Sequence, residues 1–181
     1  MVILITGASH TGKTLLAQRL LERYHVPYLS LDHLKMGLIR SGNTELTPED
    51  DDRLTAYLWP IAREIIKTAI ENRQNLIVEG CYVPYHWRAD FDSRYQAAIC
   101  FICLVMSDSY LDRHFGDVKR YACAIESRLE DVSCTVDWLK AENRKIREGF
   151  QQWGEPVSLI ETDYKQKIDG ILKEGVRALR P

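Results

Sequence analysis

The sequence predicts an α/β fold in which parallel strands are joined by crossover helices. Short apolar or β-branched runs alternate along the chain with longer segments of helical periodicity. The strand segments contain little polar alternation, which indicates that helices cover both faces of the sheet. The chain has 181 residues, and about 100 to 200 residues per domain is usual. We therefore expect one domain over residues 1–181.

Five segments have the composition of buried strands: Val2–Thr6, Tyr28–Leu31, Leu76–Glu79, Ala98–Met106 and Val157–Ile160. Helical patterns begin near Lys13, Asp32, Thr47, Tyr85, Asp108, Val118, Ser133 and Tyr164. The longest helical pattern runs from about residue 47 to 72. There Thr47 is expected to cap the helix, and Pro48 suits its first position.

Charge and hydropathy exclude several classes of partner. The 24 basic and 26 acidic side chains give a net charge of −2 and a pI near 6.2. This balance argues against a protein that wraps nucleic acid or binds membranes through a basic surface, although a local basic pocket is compatible with it. Apolar runs of about ten residues are too short to span a bilayer. With no basic leader pattern at Met1, we expect a cytoplasmic protein.

The five cysteines, an odd number, cannot all form intrachain disulfides, which favours a reducing compartment. Cys100 and Cys103 have the C-x-x-C spacing of some metal and redox sites. On a strand, residues three apart point to opposite faces, so we expect both to pack in the core instead.

A glycine-rich segment between the first strand and the first helix carries the strongest functional signal. It fits G-x-x-x-x-G-K-[ST] and comprises Gly7, Ala8, Ser9, His10, Thr11, Gly12, Lys13 and Thr14. The glycines let the backbone curl so that its N–H groups point inward at phosphates, and the helix beginning at Lys13 adds its positive end. Lys13 supplies a charge for the outer phosphates, and the Thr14 hydroxyl is a ligand for Mg²⁺. His10 is expected to shape the loop or face the substrate.

Through this motif the sequence resembles the P-loop group of nucleoside, nucleotide, shikimate and related small-molecule kinases. It is also similar to bacterial P-loop proteins described as adenylate kinase-like or 2-phosphoglycerate kinase-like. The resemblance implies a P-loop NTPase three-layer sandwich with a five-stranded parallel sheet in the order 2-3-1-4-5. It further implies a single kinase domain with a small helical lid at about residues 112–134, and it implies ATP and Mg²⁺ as the ligands.

Two acidic residues follow later strands at the edge where open α/β sheets bind ligands. In the kinases that this chain resembles, an acid after the second strand faces the acceptor, and Asp32 matches it. Asp32 could take the acceptor's proton, orient its hydroxyl or hold a metal-bound water; alternatively it only caps the next helix. Glu79 ends the third strand and would hold Mg²⁺ or contact the acceptor, the alternative being a simple turn. The segment Glu79-Gly80, followed by Val83-Pro84, is similar to the 2-phosphoglycerate kinase-like pattern.

Basic residues near these acids suit an anionic acceptor. Lys35, Arg40 and Arg88 are the candidates, each with a solvated surface charge as the alternative. In the lid region, Arg113, Arg120 and Arg128 are candidates for neutralising the transferred phosphoryl group, with Arg120 counted among the catalytic residues. The alternative there is a solvent-facing helix. A further group alternates in sign at helical spacing and predicts a salt-bridged exposed face: Lys140, Glu142, Arg144, Arg147 and Glu148.

The sequence therefore predicts an ATP-dependent phosphotransferase acting on a small hydroxylated or phosphorylated acceptor, such as a 2-phosphoglycerate-like compound or a nucleotide. Two alternatives stay open at this point. One is a nucleotide-binding regulatory ATPase without an acceptor, and the other is a toxin-like sugar-nucleotide kinase.

Overall fold

A five-stranded parallel sheet forms the centre of the computed structural model, which describes residues 1–121 and 134–179. The strands are β1 Val2–Gly7, β2 Tyr28–Ser30, β3 Leu76–Glu79, β4 Ile99–Met106 and β5 Ser158–Ile160. Their order is β2-β3-β1-β4-β5, and every neighbouring pair is parallel. The predicted sheet and its strand order are confirmed.

Helices cover both faces of this sheet. They are α1 Lys13–Tyr24, α2 Leu31–Arg40, α3 Asp51–Glu71, α4 Ser93–Gln96, α5 Asp108–Tyr121, α6 Val136–Gln152 and α7 Tyr164–Leu179, with a short 3-10 helix at Trp87–Asp90. One buried cluster packs α2 and α3 against the sheet, and a second packs α1 and α7 against its other face. The predicted three-layer sandwich is confirmed.

Three predicted helix starts differ from the structure. Helix α3 begins at Asp51 and not at Thr47, because the Asp50 carboxylate accepts hydrogen bonds from the Thr47 backbone N–H at 2.9 Å and hydroxyl at 3.0 Å. These bonds hold residues 47–50 in a turn before the helix. Val118 starts no helix of its own, since it lies within α5 and its side chain is buried. Near Tyr85 the chain instead forms the 3-10 helix that begins at Trp87.

The two cysteines of the C-x-x-C segment pack on opposite faces of β4, as their spacing predicts. Cys103 is fully buried in the cluster under α2 and α3, while Cys100 packs against the cluster under α1 and α7. Their role is therefore consistent with core packing.

The strand register brings the functional edge together. Glu79 at the end of β3 is level with Ser30 at the end of β2 and with Ile5 of β1, two residues before Gly7. The first turn of α2, the end of β3 and the glycine-rich loop after β1 are therefore neighbours. Within the described part of the chain, no helix is long and apolar enough to cross a membrane.

Candidate functional site

The glycine-rich loop begins with a residue that must lack a side chain. Gly7 has a φ of 136°, and a Cβ built there would lie 2.0 Å from the carbonyl oxygen of Leu104 on β4. The next backbone amide, that of Ala8, donates to the same oxygen at 3.1 Å. The close approach of the loop to β4 thus requires glycine at this position.

The far end of the loop is fixed by a second glycine and by α7. Gly12 has a φ of 84°, and an added Cβ would lie 1.9 Å from the Tyr164 hydroxyl. That hydroxyl donates to the carbonyl of Thr11 at 3.4 Å, and the Thr11 side chain donates to the carbonyl of Ala8 at 2.7 Å. Between the glycines, His10 adopts a left-handed φ of 61°. The loop is therefore held in the curled form that phosphate-binding amides require.

The first residues of α1 bring a cation and a hydroxyl to this loop. The Lys13 ammonium donates to the carbonyl of Ala8 at 2.8 Å, so its charge lies across the mouth of the curl. The Thr14 hydroxyl donates to Oε2 of the buried Glu79 at 3.3 Å. Hydroxyl and carboxylate oxygens are donors that suit Mg²⁺, so Thr14 and Glu79 fit this ion together with phosphate oxygens and water.

Among residues 1–121 and 134–179, no group of three or more His, Cys, Asp or Glu side chains could hold a metal ion. In this part of the chain, protein side chains alone therefore form no metal centre.

The acidic residue after β2 is held by an ion pair. Asp32 Oδ1 lies 2.9 Å from Nζ of Lys35, one helical turn further along α2. The same ammonium donates at 2.7 Å to the hydroxyl of Tyr82, a buried residue after β3. Asp32 is therefore held by Lys35. Through Lys35 and Tyr82 it is linked to the loop that follows Glu79.

A half-buried thiol, Cys81, follows Glu79 and Gly80 at the edge where the strand register brings the ends of β2 and β3 to the phosphate loop. Burial raises the pKa of Cys81 to about 11, Lys13 opposes the rise, and Asp32 adds to it. Desolvation also raises the pKa of Asp51 at the start of α3, with Lys35 opposing. The site thus extends from the phosphate loop past Cys81 to the first turns of α2 and α3.

The other two basic residues predicted to bind the acceptor lie apart from this group. Arg40 is exposed at the last position of α2, eight residues or about 12 Å along the helix from Asp32. Arg88 forms a two-pronged pair with Glu155, with N–O distances of 2.6 and 2.7 Å, and Glu155 is buried. The guanidinium also stacks on the Trp87 ring. These contacts indicate a structural role for Arg88.

Replacing Arg88 with methionine is expected to lower the free energy of unfolding by about 1–3 kcal/mol, because the buried Glu155 carboxylate loses its partner. Urea denaturation measures this change, and Arg40→Met is the matched control with little expected effect. An unchanged unfolding free energy together with a raised KM for the acceptor would instead make Arg88 an acceptor ligand.

The described part of the predicted lid is the end of α5. Arg113 donates to the carbonyls of Ser109 at 3.0 Å and Glu161 at 2.8 Å. Arg120 is exposed and donates to the Tyr121 hydroxyl at 2.7 Å. Arg128 lies outside the described residues. The roles of these arginines at the phosphates, the lid at residues 112–134 and the single domain over 1–181 stay predictions.

The basic face of α6 is ion-paired as predicted, but its partners lie on α5. Lys140 pairs with Asp112, and Arg144 pairs with Asp108. The prediction was wrong for Glu142, which does not belong to a solvent-facing salt-bridged face. Both of its carboxylate oxygens accept the backbone N–H of Ser9 in the phosphate loop, at 3.1 Å each. No local pattern in the sequence signals this contact, because the two residues are 133 positions apart.

Solved structures similar to this chain include three small-molecule kinases. Deoxyadenosine kinase from M. mycoides is 14% identical, with a TM-score of 0.58 and 98% of this chain and 100% of that chain covered. Gluconokinase from Sinorhizobium meliloti 1021 is 14% identical, with a TM-score of 0.52 and coverage of 97% and 91%. Shikimate kinase from Aquifex aeolicus vf5 is 16% identical, with a TM-score of 0.51 and full coverage of both chains, 100% and 100%.

These likenesses confirm the P-loop kinase fold that the sequence motif predicts. No curated protein matches the chain. The model of a protein family described as an AAA domain, AAA_33, matches residues 2–144 and so includes the phosphate loop, Asp32 and Glu79. The chain therefore belongs to this AAA domain family.

Proposed function

We propose that the chain is an ATP-dependent kinase that transfers a phosphoryl group to a hydroxyl of a small molecule. The observation that supports this proposal is the position of Asp32, a carboxylate paired with Lys35, at the edge of the sheet where the register also places the phosphate loop. Phosphoryl transfer requires a site that binds the phosphates and, next to it, a group that positions the hydroxyl of the acceptor. A regulator that only binds nucleotide needs no such second group.

In the proposed reaction, the acceptor's hydroxyl oxygen attacks the γ-phosphorus while the bond from that phosphorus to the bridging oxygen of ADP breaks. Asp32 takes the hydroxyl proton, and its 2.9 Å pair with Lys35 fixes the carboxylate's orientation. Lys13 and the loop amides stabilise the charge on the phosphate oxygens. Thr14 and Glu79 would hold Mg²⁺, which neutralises part of that charge when bound.

We further propose that the acceptor is hydroxylated and needs no phosphate group of its own. A phosphate would be recognised best by a guanidinium that is available to it. Of the basic residues predicted to serve this purpose, Arg88 is paired with Glu155, Arg40 lies at the far end of α2, and Lys35 is paired with Asp32. The Asp32 carboxylate can accept a hydrogen bond and the Lys35 ammonium can donate one. This combination suits neighbouring hydroxyl groups of a substrate.

A screen of acceptors with MgATP tests the proposed function. Polyols, sugars, nucleosides, nucleoside monophosphates, sugar nucleotides and 2-phosphoglycerate are supplied one at a time, and ADP formation is followed. We expect slow ATP consumption alone, stimulation by an unphosphorylated hydroxyl compound, and one phosphorylated product per ADP by mass spectrometry. Consumption that no compound stimulates would contradict the kinase, and stimulation only by phosphorylated compounds would contradict the acceptor class.

A further inference from the structure

A carboxylate from α6 occupies donors of the phosphate loop. Glu142 is half-buried, and its two oxygens each lie 3.1 Å from the backbone nitrogen of Ser9. Oε1 also accepts the Ser9 hydroxyl at 2.9 Å. The acceptor is a carboxylate, so these hydrogen bonds are charge-assisted, a class about twice as strong as neutral ones. The third residue of the loop is therefore already bound to an anion supplied by the chain itself.

The position of Ser9 places this anion at the outer end of the phosphate cradle. Lysines of such loops reach the β- and γ-phosphates, and the Lys13 ammonium donates to the carbonyl of Ala8, the residue next to Ser9. The opposite end of the loop is Gly12, from which α1 starts. An oxygen of a γ-phosphoryl group and an oxygen of Glu142 would therefore compete for the same donors.

The helix that carries Glu142 is anchored on both sides of it. The neighbouring residue, Asn143, is buried, accepts the backbone N–H of Met106 at 2.6 Å and donates to the carbonyl of Leu139 at 2.8 Å. Ion pairs join Lys140 and Arg144 to α5. Because the backbone of α6 is held at the end of β4, the carboxylate is presented to Ser9 by a rigid element.

We propose that Glu142 is a specificity-determining residue that occupies the outer phosphate donors until ATP displaces it, and thereby lowers affinity for the triphosphate relative to the diphosphate. The inference rests on the proposed function for the identity of the nucleotide. With the γ-phosphoryl group assigned to the Ser9 end of the loop, ADP would leave the contact between Glu142 and Ser9 in place. A γ-phosphoryl group must break that contact and approaches a second negative charge.

Titration calorimetry with a non-hydrolysable ATP analogue and with ADP, both with Mg²⁺, tests the proposal on Glu142→Gln. The neutral amide binds Ser9 less strongly and removes the repulsion. We expect the Kd of the analogue to fall about tenfold and that of ADP to change less than about twofold. Glu148→Gln is the matched control, because this exposed residue lies on the same helix and loses the same charge. We expect no change in either Kd for the control.

An equal change for both nucleotides, or weaker binding of the analogue, would overturn the proposal. Should Glu142→Gln fail to fold, as judged by its thermal unfolding, Glu142→Asp replaces it, since the shorter side chain keeps the charge but withdraws it from Ser9. The same selective gain is then expected. These titrations need no turnover. A selective gain in affinity for the analogue, with no acceptor found in the screen, would therefore support this inference and contradict the proposed kinase. An acceptor found in the screen, with no selective gain in affinity for the analogue, would support the kinase and overturn this inference.

Discussion

Lys13→Ala is expected to lower the rate of phosphoryl transfer about a thousandfold, because in the proposed reaction the ammonium at the mouth of the phosphate loop stabilises the charge on the transferred group. The Lys13 ammonium lies 2.8 Å from the carbonyl of Ala8, and a methyl group there leaves the outer phosphates without this charge. A coupled assay of ADP formation measures the rate, and calorimetry is expected to show a large loss of MgATP affinity.

Two measurements separate this result from misfolding. The side chain of Lys13 is only half-buried, so the thermal unfolding temperature is expected to change little. Lys145→Ala removes an exposed lysine from α6 and is the matched control for loss of one positive charge. Normal turnover by Lys13→Ala would refute the role assigned to this residue.

Asp32→Asn is expected to lower kcat about 10²- to 10⁴-fold, the usual contribution of a positioned general base. An amide keeps the shape of the carboxylate but cannot accept the hydroxyl proton. The Kd of MgATP is expected to stay within about twofold, because the proposed role of Asp32 is toward the acceptor and not toward the phosphates. Single-turnover rates and calorimetry give the two quantities separately.

The split between rate and affinity distinguishes the roles that the sequence leaves open for Asp32. A base gives a large loss of kcat with unchanged nucleotide affinity. A metal ligand gives equal losses of both. The cap role is wrong, because Ser30 precedes α2 and Asp32 lies inside its first turn, where a purely structural role gives a lower unfolding temperature with neither loss. The control is Asp137→Asn, which makes the same chemical change at an exposed site in the first turn of α6. Either of the last two outcomes would contradict the proposed base.

The parts of the fold that local sequence determines were predictable. The apolar runs of β1 and β3 and the glycine-rich loop between β1 and α1 are short-range patterns, and the structure has them where expected. The start of α3 was not predictable in this way, because it depends on the Asp50 carboxylate, which accepts hydrogen bonds from the Thr47 N–H and hydroxyl. Two local interactions of similar strength cannot be ranked from residue preferences alone.

Parts of the site could not be predicted because they depend on pairs distant in sequence. Arg88 looks like a ligand for an anion until the fold brings Glu155, 67 residues later, to its guanidinium. In the sequence, Glu142 is one member of a helix face with alternating charges. Only the packing of α6 at the end of β4 brings it to Ser9. The spacing of a motif is local information, whereas the identity of an ion-pair partner is a property of the tertiary structure.

The proposed function requires the backbone amides of residues 7–14 to bind a polyphosphate. Titrating MgADP into ¹⁵N-labelled protein while following the amide resonances measures this binding residue by residue. We predict that Gly12, Lys13 and Thr14 show the largest shifts and move downfield, because phosphate oxygens accept hydrogen bonds from their N–H groups. Unmoved loop resonances at a saturating concentration, or shifts confined to another part of the chain, would show that this loop does not bind the phosphates.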